Sequence, residues 1–152
     1  MTATLLDADQ TRRFGAALAR AVRPGDVLAL SGDLGAGKTT LTQGLAAGLG
    51  ISGDVLSPTF ALMSEYRGGR VPLLHVDAYR LNGASDAEQL GLDEYLDDGW
   101  ALVLEWPGNI AGALLENVSV RLDHDGDRRT VSITGADRWI SAVEEAFARS
   151  GD

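Results

Sequence analysis

Lys38 is the only lysine in the chain, since every other basic residue is an arginine. It lies in the segment Gly32-Asp33-Leu34-Gly35-Ala36-Gly37-Lys38-Thr39, which matches the phosphate-binding pattern G-x-x-x-x-G-K-[ST]. A lysine ammonium is a compact charge on a flexible stem. It can therefore reach between β- and γ-phosphate oxygens, where a planar guanidinium would not fit. The segment predicts that the chain binds a nucleoside triphosphate.

The residues on either side of this segment predict the strand and the helix that a phosphate-binding loop needs. Upstream, the apolar run Asp26–Ser31 follows the turn signal Pro24-Gly25 and is typical of a buried strand. Downstream, Thr39–Leu49 predicts a helix with leucines on one stripe and glycines at its end. In this order, backbone N–H groups of the loop and the positive end of the helix dipole face the phosphates.

A triphosphate site also needs magnesium, which is held by the loop hydroxyl and by a carboxylate at the end of a neighbouring strand. Asp77 and Glu105 each follow a strand-like apolar segment. Aspartate is the commoner ligand, which favours Asp77. However, Pro72 and His75 give the strand before Asp77 the character of a sheet edge, which favours Glu105. On these residue patterns, either Asp77 or Glu105 could be the carboxylate that binds the metal.

The composition predicts one domain, residues 1–152, with 45% hydrophobic residues for its core. The absence of cysteine excludes disulfides and zinc–thiolate sites. No signal segment and no apolar run of membrane-spanning length is visible, so we expect a cytoplasmic protein without membrane contact. The formal net charge of -9 argues against an extended direct contact with nucleic acid, which needs a basic face.

The other segments predict an α/β fold. Alternating runs around the turn signal Asp125-Gly126 predict a hairpin, and the acidic segment Asn82–Gly99 is expected to be helical in pieces. Strands that alternate with helices indicate a P-loop NTPase-like three-layer domain with a mixed, mainly parallel sheet and a C-terminal hairpin. Further predicted strands are one ending at Leu5-Leu6, Asp54–Leu56, Phe60–Tyr66, Val71–Val76, Ala101–Leu104, Val118–Leu122 and Thr130–Ile133, and further helices are Asp9–Val22 and Asp137–Arg149.

Several short motifs, in their order along the chain, resemble those of the TsaE (YjeE) family of bacterial P-loop ATPases. The phosphate loop resembles that of the family from Ser31 to Thr40, and its combination with the other motifs is highly specific. One departure is Ala78, where leucine is usual. The other matching segments are Ser57-Pro58-Thr59-Phe60, His75-Val76-Asp77-Ala78-Tyr79-Arg80, Leu90-Gly91-Leu92-Asp93-Glu94-Tyr95 and Glu105-Trp106-Pro107, and Thr11 matches a threonine that lines the family's nucleotide site.

The resemblance implies an ATPase of tRNA threonylcarbamoyladenosine (t6A37) biosynthesis that drives or resets a complex of the TsaD transferase and its paralogue TsaB. tRNA is then reached through that complex. The implied ligands are ATP and Mg²⁺, with Glu105 and Thr39 on the metal and Asp77 as the better candidate to orient the attacking water. The implied nucleotide-binding residues are Thr11, Leu34, Gly35, Ala36, Gly37, Lys38, Thr39 and Thr40, and the implied catalytic residues are Lys38, Asp77, Glu105 and Thr59, with Thr59 and Asp77–Arg80 in switch-like segments.

Two other classes of protein share the phosphate loop. A small-molecule kinase usually covers the phosphates with an arginine-rich lid, but the candidate lid Asn82–Gly99 has no arginine or lysine. A GTPase needs [NT]-K-x-D to read guanine, and the single lysine is already in the loop. An ATPase is therefore favoured, with the kinase as the alternative. Because the lid carries no positive charge, we expect slow hydrolysis by the chain alone and acceleration by its partners.

Three groups of residues have a simpler interpretation. Without the resemblance, His75 is best interpreted as an ordinary core or edge histidine. Arg128-Arg129 next to the hairpin turn indicates a solvated hairpin end. The acids between Asp93 and Asp98 predict a solvated face rather than a metal site, because they mix helix and loop spacing.

Overall fold

The computed structural model describes residues 1–33, 35–52, 63–78, 81, 84–105 and 116–149. These residues form seven strands and five helices. The strands are β1 (Thr2–Leu5), β2 (Val27–Gly32), β3 (Met63–Tyr66), β4 (Leu73–Asp77), β5 (Ala101–Glu105), β6 (Val118–Asp125) and β7 (Arg128–Gly135). The helices are α1 (Ala8–Ala19), α2 (Lys38–Gly48), α3 (Ala84–Gln89), α4 (Leu92–Asp97) and α5 (Asp137–Arg149).

All seven strands belong to one mixed sheet in the order β1-β7-β6-β2-β5-β4-β3. The four central strands β6, β2, β5 and β4 are parallel, whereas β7 and β3 run antiparallel to their neighbours. The carboxyl ends of β2, β5 and β4 therefore lie side by side at the same end of the sheet. In open α/β sheets, this is the end at which ligands bind.

Side chains of the central strands alternate between two cores. On one face, Leu28, Leu30 and Val103 pack with apolar residues of α1, α2 and α5. On the other face, Leu102 and Leu104 pack with α4 and with the segment before β5. Every residue of β5 is buried, as the unbroken apolar run predicted. Helices on both faces of a mixed sheet, with a C-terminal hairpin of β6 and β7, confirm the expected fold class.

Glycines bring α1 and α2 unusually close together. A β-carbon added at Gly44 would lie 2.0 Å from the main-chain oxygen of Arg12, and one at Gly15 would lie 2.1 Å from that of Leu41. Only glycine leaves room for backbones at this distance. The contact fixes the first half of α1 beside the start of α2, where the phosphate-binding segment ends.

Two of the structural expectations are corrected. The first helix ends at Ala19 rather than Val22, although Val22 still packs into the core. The strand before Asp77 is not at an edge, because β4 lies between β5 and β3. Pro72 precedes this strand and contributes only its carbonyl, which accepts the N–H of Ala101 over 2.9 Å.

The predicted strand Asp54–Leu56 and the first part of Phe60–Tyr66 lie outside the described residues. The expected helical pieces of the acidic segment are present as α3 and α4. Across the described parts of the chain, no helix combines the length and the apolar character that spanning a membrane requires.

Candidate nucleotide-binding site

The phosphate-binding segment joins the end of β2 to the start of α2. Gly35 and Gly37 have φ of +76° and +107°, values that favour glycine and that let the chain turn into the helix. Gly37 is the N-cap residue, and within the described part of the chain no side chain caps it. The first amides of α2 thus have no acceptor inside the helix. Together with the helix dipole, they suit an anionic phosphate group.

Lys38 begins α2 and is buried, with 7% of its surface exposed. Its ammonium donates hydrogen bonds to the main-chain oxygens of Gly32 over 3.1 Å and Asp33 over 3.3 Å. The charge is therefore held against the loop itself rather than extended into solvent. Phosphate oxygens carry negative charge, so they would bind this ammonium more strongly than the neutral carbonyls do.

Asp77 and Glu105 end the neighbouring strands β4 and β5 and are Cα partners across them. The N–H of Ala78 donates to the main-chain oxygen of Glu105 over 3.0 Å and ties the two strand ends together. Glu105 is also the Cα partner of Leu30 in β2, close to the start of the loop. Both acids thus lie on the sheet face that α2 covers, with Glu105 one strand and Asp77 two strands from β2.

His75 and Glu105 form a buried side-chain pair. Nε2 of His75 lies 3.0 Å from Oε2 of Glu105, and the two side chains are 0% and 6% exposed. Among the described residues, Nδ1 of His75 has no hydrogen-bond partner. Of the two alternatives in the prediction, a core or an edge histidine, the core position is found. The prediction missed this contact, which joins residues that are distant in the sequence.

The oxygens near the loop fit a magnesium ion. Magnesium prefers oxygen ligands and is usually bound by one or two carboxylates together with phosphate and water oxygens. Among the described residues Oε1 of Glu105 has no hydrogen-bond partner, while Oε2 is engaged by His75. The half-buried residue Thr39 places its hydroxyl in the first turn of α2. No set of three or more His, Asp or Glu side chains within the described ranges could hold a metal by itself. The exposed acids between Asp93 and Asp98 are accordingly a solvated face, as predicted.

The hairpin of β6 and β7 contacts the phosphate-binding segment at two points. The N–H of His124 donates to Oδ2 of Asp33 over 3.2 Å, and Nε of Arg129 donates to the main-chain oxygen of Ala36 over 3.1 Å. The prediction of a solvated hairpin end holds for Arg128, which is exposed, but is wrong for Arg129, which is half-buried. Strand alternation, which sends consecutive side chains to opposite faces, was the signal that could have separated the two arginines.

Thr11 is buried in α1, and its hydroxyl donates to the main-chain oxygen of Asp7 over 3.2 Å. A β-carbon added at Gly37 would lie 3.6 Å from Cγ2 of Thr11, so this threonine packs against the end of the loop. The predicted site residues that lie at this end of the sheet are Thr11, Gly35, Ala36, Gly37, Lys38, Thr39, Thr40, Asp77 and Glu105. Leu34 and Thr59 lie outside the described residues, as do Tyr79, Arg80, Trp106 and Pro107.

Comparison with known proteins identifies close relatives over most of this chain. A family model described as Threonylcarbamoyl adenosine biosynthesis protein TsaE matches residues 5–131. The tRNA threonylcarbamoyladenosine biosynthesis protein TsaE of Streptomyces coelicolor is 45% identical over 147 residues, which cover 90% of this chain and 99% of that protein. The protein of the same name from Bacillus subtilis is 39% identical over 143 residues, covering 93% of this chain and 89% of the relative.

A solved structure is similar over the full length. The crystal structure of YdiB from Bacillus subtilis matches with a TM-score of 0.79 and 34% sequence identity, covering 100% of this chain and 96% of YdiB. The residues matched by the family model include all of the candidate site residues, from Thr11 to Glu105, and also Arg129.

Proposed function

Because the chain belongs to the TsaE family of threonylcarbamoyladenosine biosynthesis proteins, we propose that it binds and hydrolyses ATP as an accessory protein of t6A37 formation in tRNA. The observation that carries this proposal is the position of buried Lys38 at a helix start that no described side chain caps, at the same end of the sheet as two strand-end acids. This arrangement supplies donors for phosphate oxygens and carboxylates for a metal and a water. These are the groups that phosphoryl transfer to water requires.

The phosphates bind at the loop between β2 and α2. The main-chain amides from Leu34 to Thr40 surround the phosphate oxygens, and Lys38 exchanges its carbonyl acceptors for the β- and γ-phosphates. Thr11 supports the end of this loop through its contact with Gly37.

Thr39 and Glu105 hold Mg²⁺, which supplies charge stabilisation for the β- and γ-phosphate oxygens when bound. The sheet order supports Glu105 over Asp77 for this role. Strand neighbours are about 4.8 Å apart, so the end of β5 lies about one strand spacing from the loop and the end of β4 lies about two.

Asp77 orients the attacking water. It lies one strand further from the loop than Glu105 and is half-buried, so it can face a water on the far side of the γ-phosphate. Attack by this water on the γ-phosphorus breaks the bond to the β,γ-bridging oxygen and releases ADP and phosphate. A carboxylate within hydrogen-bond reach of the water favours this attack by accepting its proton. Thr59 contributes to the same step from its switch-like segment.

The hydrolysis cycle drives or resets a complex with TsaD-type and TsaB-type proteins. The net charge of -9 makes this chain a poor direct ligand for tRNA, so the RNA is held by the complex. The acidic segment that forms α3 and α4 carries no arginine or lysine that could reach the γ-phosphate. Positive charge for the transition state therefore comes from the partners or from motif residues that the partners position.

ATP hydrolysis by the purified chain tests this proposal when it is measured alone, with both partner proteins, and with partners and tRNA. We expect slow turnover alone and strong acceleration in the complex, since a supplied arginine can contribute about 10³–10⁵-fold. Lys38→Ala serves as the inactive control. Rapid multiple turnover that is unaffected by the partners would contradict the proposal, and phosphate transfer to a small metabolite would favour a kinase instead.

A further inference from the structure

The proposed mechanism of ATP hydrolysis assigns no role to His75, the buried histidine of β4. The imidazole of His75 is fully buried, and its one hydrogen bond within the described residues is to Oε2 of Glu105, over 3.0 Å. The ring lies on the sheet face shared with Val103, its Cα partner in β5. The carboxylate at the end of that strand is the only hydrogen-bond partner that the described residues offer to this ring.

The direction of the hydrogen bond follows from the two groups. An ionised carboxylate only accepts hydrogen bonds, so Nε2 of His75 carries the hydrogen. Nδ1 has no partner among the described residues. The imidazole therefore donates through Nε2, and this N–H is aimed at Oε2 of Glu105.

We propose that His75 is a positioning residue for magnesium, because its bond to Oε2 of Glu105 leaves Oε1 turned towards the metal. This inference rests on the proposed role of Glu105. A glutamate side chain has several rotatable bonds, and fixing them before the metal arrives removes an ordering cost from binding. Donors that orient metal-binding groups in this way typically change metal affinity by about 10–100-fold when removed.

Three substitutions distinguish the effect of the hydrogen bond that His75 donates from the effect of the packing of its ring. His75→Gln places an amide N–H near the position of Nε2, so it can keep the bond to Glu105. His75→Asn places its amide near Nδ1 and is too short to reach. His75→Leu fills the space with an apolar side chain and removes the donor entirely. The Gln and Asn variants are matched in polarity, and they differ mainly in reach.

The measurement is the affinity for a non-hydrolysable ATP analogue as a function of Mg²⁺ concentration, by calorimetry on the full chain. In His75→Asn and His75→Leu, the Mg²⁺ concentration that gives half of the affinity gain should rise about 10–100-fold. His75→Gln should remain near the unmodified protein. Affinity in the presence of a chelator should be the same for all variants, since the phosphate loop is not altered.

A double-mutant cycle with Glu105→Gln isolates the coupling. If His75 acts through Glu105, then His75→Asn should have no further effect on the Mg²⁺ requirement once the carboxylate is gone. A purely structural histidine would instead lower the melting temperature and weaken metal-free nucleotide binding by similar factors in both backgrounds.

The outcomes distinguish this inference from the proposed function. If Glu105→Gln raises the Mg²⁺ requirement and His75→Asn behaves as His75→Gln does, the positioning role is wrong and the ATPase proposal stands. If nucleotide binding does not respond to Mg²⁺, or Glu105→Gln leaves the response intact, Glu105 is not a magnesium ligand. The positioning role proposed for His75 is then wrong as well. If His75→Leu does not fold, the comparison of His75→Gln with His75→Asn still tests the positioning role.

Discussion

Nε of Arg129 donates a hydrogen bond to the main-chain oxygen of Ala36 over 3.1 Å, which links β7 to the middle of the phosphate-binding loop. Asp33, at the start of the same loop, accepts the N–H of His124 from β6 over 3.2 Å. The last hairpin of the sheet thus holds the loop at two points. An ordered loop loses less conformational freedom when a ligand binds, so we expect the hairpin to increase nucleotide affinity although it carries no recognisable sequence motif.

Replacing Arg129 by glutamine should weaken binding of the ATP analogue by about tenfold, because the loop loses a hydrogen bond from a charged donor. The measurement is a calorimetric titration with Mg²⁺ in excess. Arg128→Gln is the matched control, since it removes the same charge from an exposed neighbouring position. Equal losses in the two variants would show a general charge effect and would contradict the role given to the bond with Ala36.

Replacing Lys38 by alanine should abolish productive triphosphate binding. The ammonium is buried against the loop, and it is the only lysine of the chain. The loss should exceed the ~0–1 kcal/mol that a surface ion pair contributes. Lys38→Arg keeps the charge but should not restore binding, because a planar guanidinium does not fit between the phosphates. Unchanged affinity and turnover in Lys38→Ala would remove Lys38 from the site.

The amide substitutions Glu105→Gln and Asp77→Asn should have different effects, although the two acids are neighbours across β4 and β5. Glu105→Gln should raise the Mg²⁺ concentration needed for tight nucleotide binding. Asp77→Asn should leave that requirement nearly intact and slow hydrolysis, because it removes the group that we propose orients the water. Magnesium titrations together with single-turnover rates check both, and the reverse pattern would exchange the two roles.

Replacing Gly44 by alanine should lower the free energy of unfolding by about 1–3 kcal/mol, a range typical of overpacking. The added β-carbon would lie 2.0 Å from the main-chain oxygen of Arg12, so α1 and α2 must move apart. On an open helix surface the same change would stabilise by up to about 1 kcal/mol. Urea denaturation measures the difference, and Ala47→Gly on the exposed side of α2 calibrates the helix propensity alone. A more stable Gly44→Ala variant would contradict the close helix contact.

The elements that the sequence predicted correctly are those whose signal is local. The order of strand, glycine loop and helix around Lys38, the buried run of β5 and the hairpin of β6 and β7 each follow from neighbouring residues. Hydrophobic periodicity, turn residues and short motifs can each be recognised within one segment of the sequence. Predictions made from them therefore need no information about the rest of the chain. The resemblance to the TsaE family rested on the same kind of short motif, and the comparisons confirm it.

Only the tertiary structure decided which segments became neighbours. The sequence pattern of a strand does not reveal its place in the sheet. For this reason β4 was expected at an edge but lies inside the sheet. The hydrogen bond between His75 and Glu105 was not predicted either, because it depends on β4 and β5 being neighbours. The contact of Arg129 with Ala36 was missed for the same reason, because it joins parts of the chain that are 93 residues apart. Such pairs depend on how the whole sheet assembles, and the free energy that selects them comes from burial shared across many strands rather than from any one segment.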